Sequence, residues 1–211
     1  MYNFPFDTCE YCEDRRRFIA QPYSFSINLL SSIILLGFCV IVKSIPVKIT
    51  ICSYFLFEVF HTFSHAQHIS GDIQKYIVHY LAYFMILATL YAILYLSNTK
   101  LTDLEFLAII LIVLIDQYSK TTFEMFSTGM LLFSVVILTQ YKKLPNEFKN
   151  VLQYIFLPGL IILWILLYNE TKNCQRMLAW KNLPYHAAIE IIGIVLFTFL
   201  AYSFYIWEKS I

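Results

Sequence analysis

Charge is scarce in this chain. Only 14% of its 211 residues are Asp, Glu, Lys or Arg, while 59% are hydrophobic and the mean hydropathy is +0.66. Soluble domains carry nearer a quarter charged residues, so a soluble globular fold is excluded. Net charge is lacking too. At +1 the chain exerts no strong pull on a polyanion, and nucleic acid is not an expected partner. The first 20 residues hold Glu10, Glu13, Asp14 and the run Arg15 to Arg17, and have no apolar core. A cleavable signal peptide is therefore not expected, and the first membrane helix takes over targeting. Internal repeats and low-complexity tracts are also missing.

What is present is a series of apolar runs separated by short polar breaks. Cut into helices of roughly twenty residues, they give seven spans at about 24–43, 48–68, 75–97, 103–118, 121–140, 151–168 and 184–207. The fourth is short and carries Asp116 near its end, so a merged or re-entrant segment is the alternative there. The expected fold is an all-α integral-membrane protein, a seven-transmembrane-helix bundle over residues 24–211. A polar N-terminal segment, 1–23, precedes it. Aromatics reach 18%, which suits belts at the two interfaces. Lys and Arg divide almost evenly between the two faces and set no orientation.

One stretch stands out against this background: Glu58-Val-Phe-His61-Thr-Phe-Ser64-His65-Ala-Gln-His68. In a helix, residues three, four and seven apart share a face. His61, His65 and His68 then form one polar stripe, with Glu58 one turn before it. Ionisable groups at the end of a membrane helix are costly and are functional candidates by default. Seven spans also place His79, near the start of span three, and His186, near the start of span seven, on this same face. All five histidines fall in one layer, on the side of the N-terminal segment.

Convergence from three helices is what a metal site needs. An open zinc site takes three protein ligands and a water, and imidazole is a common ligand. The candidates are His68, His79 and His186, with His65 and His61 as alternates or supporting partners. Glu190, one turn after His186, is placed to ligate or to act as general base. Ser64 is placed to bind the metal-bound water or steady an oxyanion. The bland readings stand beside these: a buried His186–Glu190 ion pair, and a packed His79. Glu10, Glu13 and Asp14, with Gln21 and Asn28, offer hard oxygens for calcium. The competing reading is a solvated acidic segment balanced by its arginines. Cys39 and Cys52 fall inside spans as core residues. Cys12 and Cys174 map to one face, where a bond between them would require an oxidising compartment and hence a lumenal or extracellular N-terminus.

Three segments carry a family resemblance. Tyr11-Cys12-Glu13 with Ile19-Ala20-Gln21-Pro22 and Asn28 to Ser31 is similar to the start of the alkaline ceramidases. Ser64-x3-His68, with His79 eleven residues on, resembles a Ser-x3-His followed by Asp. Tyr185-His186-Ala-Ala-Ile-Glu190 is similar to a His-x3-His that opens the last helix. The chain thus resembles, as a divergent member, the superfamily of seven-helix membrane hydrolases. That superfamily includes alkaline ceramidases, progestin and adipoQ receptors and GPI-anchor lipid-remodelling proteins. His79 stands where the family has Asp, and Glu190 where it has a second His. A second register, His61 with Asp72, keeps both the spacing and the Asp but has Phe57 in place of Ser. The resemblance implies a zinc-dependent amidase or acyl hydrolase acting on a membrane lipid. A non-catalytic receptor with a structural metal is the alternative. A transporter ranks behind both, because the polar layer is one-sided. Five histidines are too few for a di-iron hydroxylase or desaturase.

Overall fold

The computed structural model describes residues 18–67, 72–100, 102–116, 122–178 and 185–211. Among them the chain is all-helical, without strands. The helices are α1 (Pro22–Ile41), α2 (Ile45–Ala66), α3 (Asp72–Leu96), α4 (Asp103–Asp116), α5 (Thr122–Gln140), α6 (Asn146–Val151), α7 (Leu157–Leu178) and α8 (Tyr185–Lys209). Helices α6 and α7 form one rod, joined by a π turn at Leu152–Phe156. Pro158 explains the turn. It has no N–H to give the carbonyl four residues back, and its ring crowds that carbonyl, so the ladder widens ahead of it.

Four segments are long and apolar enough to cross a membrane: Pro22–Ile41, Ile77–Leu96, Asn146–Glu170 and Tyr185–Lys209. These mark a multi-pass membrane protein. The rod containing α7 runs past the sequence expectation at both ends. Asn169, Glu170 and Thr171 simply continue the helix beyond the apolar run.

The helices close into a ring in the order α1, α2, α3, α5, α7, α8, with α4 packed outside on α5. Helix α1 shows how the sequence dictates its seat. It buries Ser24, Asn28, Ser31 and Ser32 and exposes Leu29, Ile33, Leu36 and Val40. Small polar residues allow close helix approach, and the large apolar ones face outward toward lipid. The short side chains of α2 serve similarly. Thr50 donates to the Pro46 carbonyl of its own helix and to Ala88 on α3, at 2.9 and 2.8 Å.

The end of the bundle away from the histidines is closed by aromatics. Phe148 meets Phe204 and Trp207 edge-on, at 5.7 and 5.0 Å between ring centroids. Beside them the Glu208 carboxylate accepts the backbone N–H of Lys43 at 2.7 Å and of Ser44 at 3.0 Å. A negative charge at the start of α2 also suits the helix dipole. Glu208→Ala removes both bonds and should lower unfolding stability by about 1–3 kcal/mol. Glu208→Gln should retain part of this, read from thermal unfolding in detergent. An unchanged midpoint in the alanine variant would show the clamp to be inert.

Candidate metal centre

Helices α2 and α8 cross where α2 ends and α8 begins, and four side chains meet there. One ligand atom from each of His61, His65, His186 and Glu190 lies within 4.8 Å of all the others. All four residues are at most 7% exposed. His61 and His65 are one turn apart on α2, with ring centroids 4.5 Å apart. His186 and Glu190 are one turn apart on α8. The His65 and His186 rings are 5.1 Å apart.

Glu190 Oε1 sits among the three imidazoles. It lies 2.8 Å from His186 Nε2, 3.3 Å from His65 Nε2 and 3.8 Å from His61 Nε2. Three ring nitrogens thus face one small volume. Such a group could hold a metal ion, and three nitrogens with one carboxylate oxygen is a donor set that borderline ions accept.

The other ring nitrogens are gripped from behind. His186 Nδ1 donates to Glu170 Oε1 at 2.8 Å. His65 Nδ1 donates to Gln21 Oε1 at 2.6 Å. Both bonds fix the proton on Nδ1 and leave Nε2, the atom that faces Glu190, as the one that would bind a metal ion. Asn28 Nδ2 donates to His61 Nδ1 at 3.3 Å, and an amide turned over would serve the other tautomer. Outer partners of this kind orient metal-binding imidazoles and raise their basicity. Gln21 is fixed in turn, because its backbone N–H donates to the His65 carbonyl at 2.9 Å.

A cavity of about 220 Å³ opens from this group into the ring of helices. Glu58, His61, His186 and Glu190 line it at the histidine end, and Leu200 lines it at the other. Ten residues of α8 separate Glu190 from Leu200, roughly 15 Å of helix. The walls between are apolar, with Phe57, Met85, Phe133, Leu163 and Phe197 among them. The Tyr54 and Thr89 hydroxyls meet each other at 2.6 Å partway along.

The fold places the remaining candidates as follows. His79 is buried but is not one of the four. Its ring stands edge-on to Tyr83 of its own helix α3, at 4.9 Å. Ser64 is buried, donates to the Phe60 carbonyl of its own helix at 3.2 Å, and does not line the cavity. His68, Glu10, Glu13, Asp14 and Cys12 lie outside the described residues, and the side chain of Cys174 is not described. Gln21 and Asn28, expected among calcium ligands, have their amides on His65 and His61. Sequence reasoning missed Glu170. A signal existed: Leu160, Leu163, Leu167 and Glu170 repeat at three and four residues, so the carboxylate continues the buried stripe.

Comparison of the chain with protein-family models, curated proteins and solved structures finds no match.

Proposed function

We propose that the chain is a seven-helix integral-membrane hydrolase, zinc-dependent, that cleaves an amide or ester bond in a lipid. One observation carries this reading: the buried His61, His65, His186 and Glu190 group opens directly onto an elongated apolar cavity. The resemblance to the superfamily containing the alkaline ceramidases supports it, with His186 and Glu190 opening the last helix and His61 belonging to the second of the two registers. The three Nε2 atoms are the groups that would hold zinc. Bound there, zinc supplies Lewis acidity and a water with a pKa near 7.

The chain's own residues supply the rest. Glu190 lies against all three imidazoles and takes the proton of the attacking water as general base. Glu170 and Gln21 hold His186 and His65 with their Nε2 atoms turned inward. The apolar walls take up the chain of the substrate and exclude bulk water. Ser64 has no chemical step in this scheme, since its hydroxyl bonds its own helix.

Protein purified in detergent without chelator should carry about one zinc per chain by elemental analysis. It should cleave an acyl amide or acyl ester, lose that activity to a chelator, and regain it with zinc. Protein with stoichiometric zinc and no turnover on either lipid class would favour the receptor reading. Protein without metal would sink both.

A further inference from the structure

Cys39, near the end of α1, and Cys52, two turns into α2, take no part in the scheme above. Both are free thiols, thirteen residues apart, and Cys52 Sγ donates to Cys39 Sγ at 3.1 Å. Cys39 is 8% exposed and belongs to the apolar cluster around the α1–α2 hairpin, with Leu35, Val42, Val47 and Ile51. Cys52 is half-buried. It lies on the stripe Ile49, Cys52, Leu56, whose two large members are exposed toward lipid. One sulfur thus stands at the edge of the lipid, with the other directly behind it. Among the described residues no imidazole, carboxylate or third thiol gathers with the pair to hold a metal. Closing 3.1 Å to the about 2.05 Å of a disulfide moves the sulfurs by about 1 Å in all, within reach of small side-chain rotations.

From this we infer that Cys39 and Cys52 form a redox modification site, which a hydroperoxide arriving from the bilayer converts into a disulfide stapling α1 to α2. Cys52 Sγ attacks the outer peroxide oxygen. The O–O bond breaks with its electron pair on the inner oxygen, which takes the thiol proton and leaves as an alcohol. Cys52 is then a sulfenic acid. Cys39 Sγ attacks that sulfur, the S–O bond breaks, and the departing hydroxide takes the Cys39 proton and leaves as water. Two thiols and one hydroperoxide give one disulfide, one alcohol and one water. The sulfurs lose two electrons and the peroxide gains them. The staple joins the helix that carries Asn28 to the helix that carries His61, so the amide and the imidazole it grips are held in register.

The site requires neither metal nor turnover, so its test stands apart from that of the hydrolase. The full chain carrying Cys9→Ser, Cys12→Ser and Cys174→Ser is reduced, freed of reductant and exposed to cumene hydroperoxide in mixed micelles. Free thiols, counted with a maleimide after denaturation, should fall from two to none. The intact mass should drop by two hydrogens, and a phosphine should restore both thiols. The bridged protein should melt roughly 5–10 °C higher, the shift of a disulfide closing a loop of this size in a chain of this length. Adding Cys39→Ala should leave the sulfenic acid on Cys52, where dimedone traps it. Adding Cys52→Ala should leave Cys39 a thiol. Circular dichroism shows that each variant is folded, and valine replaces alanine where it is not. Cumene hydroperoxide should act faster than hydrogen peroxide at equal concentration, and the reverse order overturns the route from the bilayer. Survival of both thiols overturns the assignment. So does a bond between two chains in place of one within a chain, dimedone held on Cys52 while Cys39 is present, or a bridge that leaves the midpoint unchanged.

Discussion

His186→Ala should cost the protein both its metal and much of its stability. The His186 ring bridges two buried carboxylates, with Nδ1 on Glu170 and Nε2 on Glu190, both at 2.8 Å. Removing the ring leaves two acids facing a cavity with no cation between them. Breaking a buried pair by deleting one partner costs about 3–5 kcal/mol, because the survivor stays desolvated. Here two survivors remain. The expected result is a loss at the upper end of that range, read by equilibrium unfolding in mixed micelles, with zinc falling below about a tenth of the wild-type stoichiometry. A combined His186→Leu, Glu170→Gln, Glu190→Gln variant removes the stranded charges and should recover most of the stability while still binding no metal. Stability regained together with metal would show that the ion lies elsewhere. A His186→Ala protein as stable as wild type would show that the bridge contributes nothing.

Glu170→Gln should leave the bundle standing and weaken the metal. Glu170 is 7% exposed and holds His186 from the side opposite Glu190. A carboxylate behind an imidazole fixes its tautomer, stops its rotation and raises its basicity. Glutamine keeps the shape and one acceptor oxygen but not the charge. Loss of such an outer partner typically weakens metal affinity by about 10–100-fold. Stoichiometry at saturating zinc should therefore hold, while competition against a chelator of known affinity should show that drop. Glu170→Leu, which lacks the acceptor altogether, should fall further. Equal affinities across the three proteins would make Glu170 a packing residue only.

Much of this arrangement is legible in the sequence, and the reasons are specific. Long apolar runs can only be helices where backbone groups must satisfy one another, so the helical architecture follows from composition. The polar stripe from Glu58 to His65 is read directly from helical spacing, as is the His186–Glu190 turn. The choice among His61, His65 and His68 is harder. Periodicity puts all three on one face, and only the packing of α2 against α8 brings His61 and His65 to Glu190. His79 illustrates the opposite difficulty. Topology puts it in the same layer, but its rotational position turns its ring toward Tyr83, and layer position alone does not report rotation. Gln21 and Asn28 look like oxygen ligands because amides are ambiguous, and their roles depend on α1 lying against the end of α2.

The π turn at Leu152–Phe156 places one more residue in its turn than the regular ladder would hold. Each residue added to or removed from a helix rotates everything beyond it by about 100°. Downstream of the turn lies the stripe Leu160, Leu163, Leu167 and Glu170, which must face inward for the carboxylate to reach His186. The widened turn is therefore the joint of the rod. It is the place where the chain can shorten by one residue and relax into the ordinary ladder without turning Glu170 away. The same deletion beyond Gly159 would swing the carboxylate out of the bundle. Tolerance to length change and the orientation of a histidine roughly four helical turns away are thus set by the same five residues, through the position of a single proline.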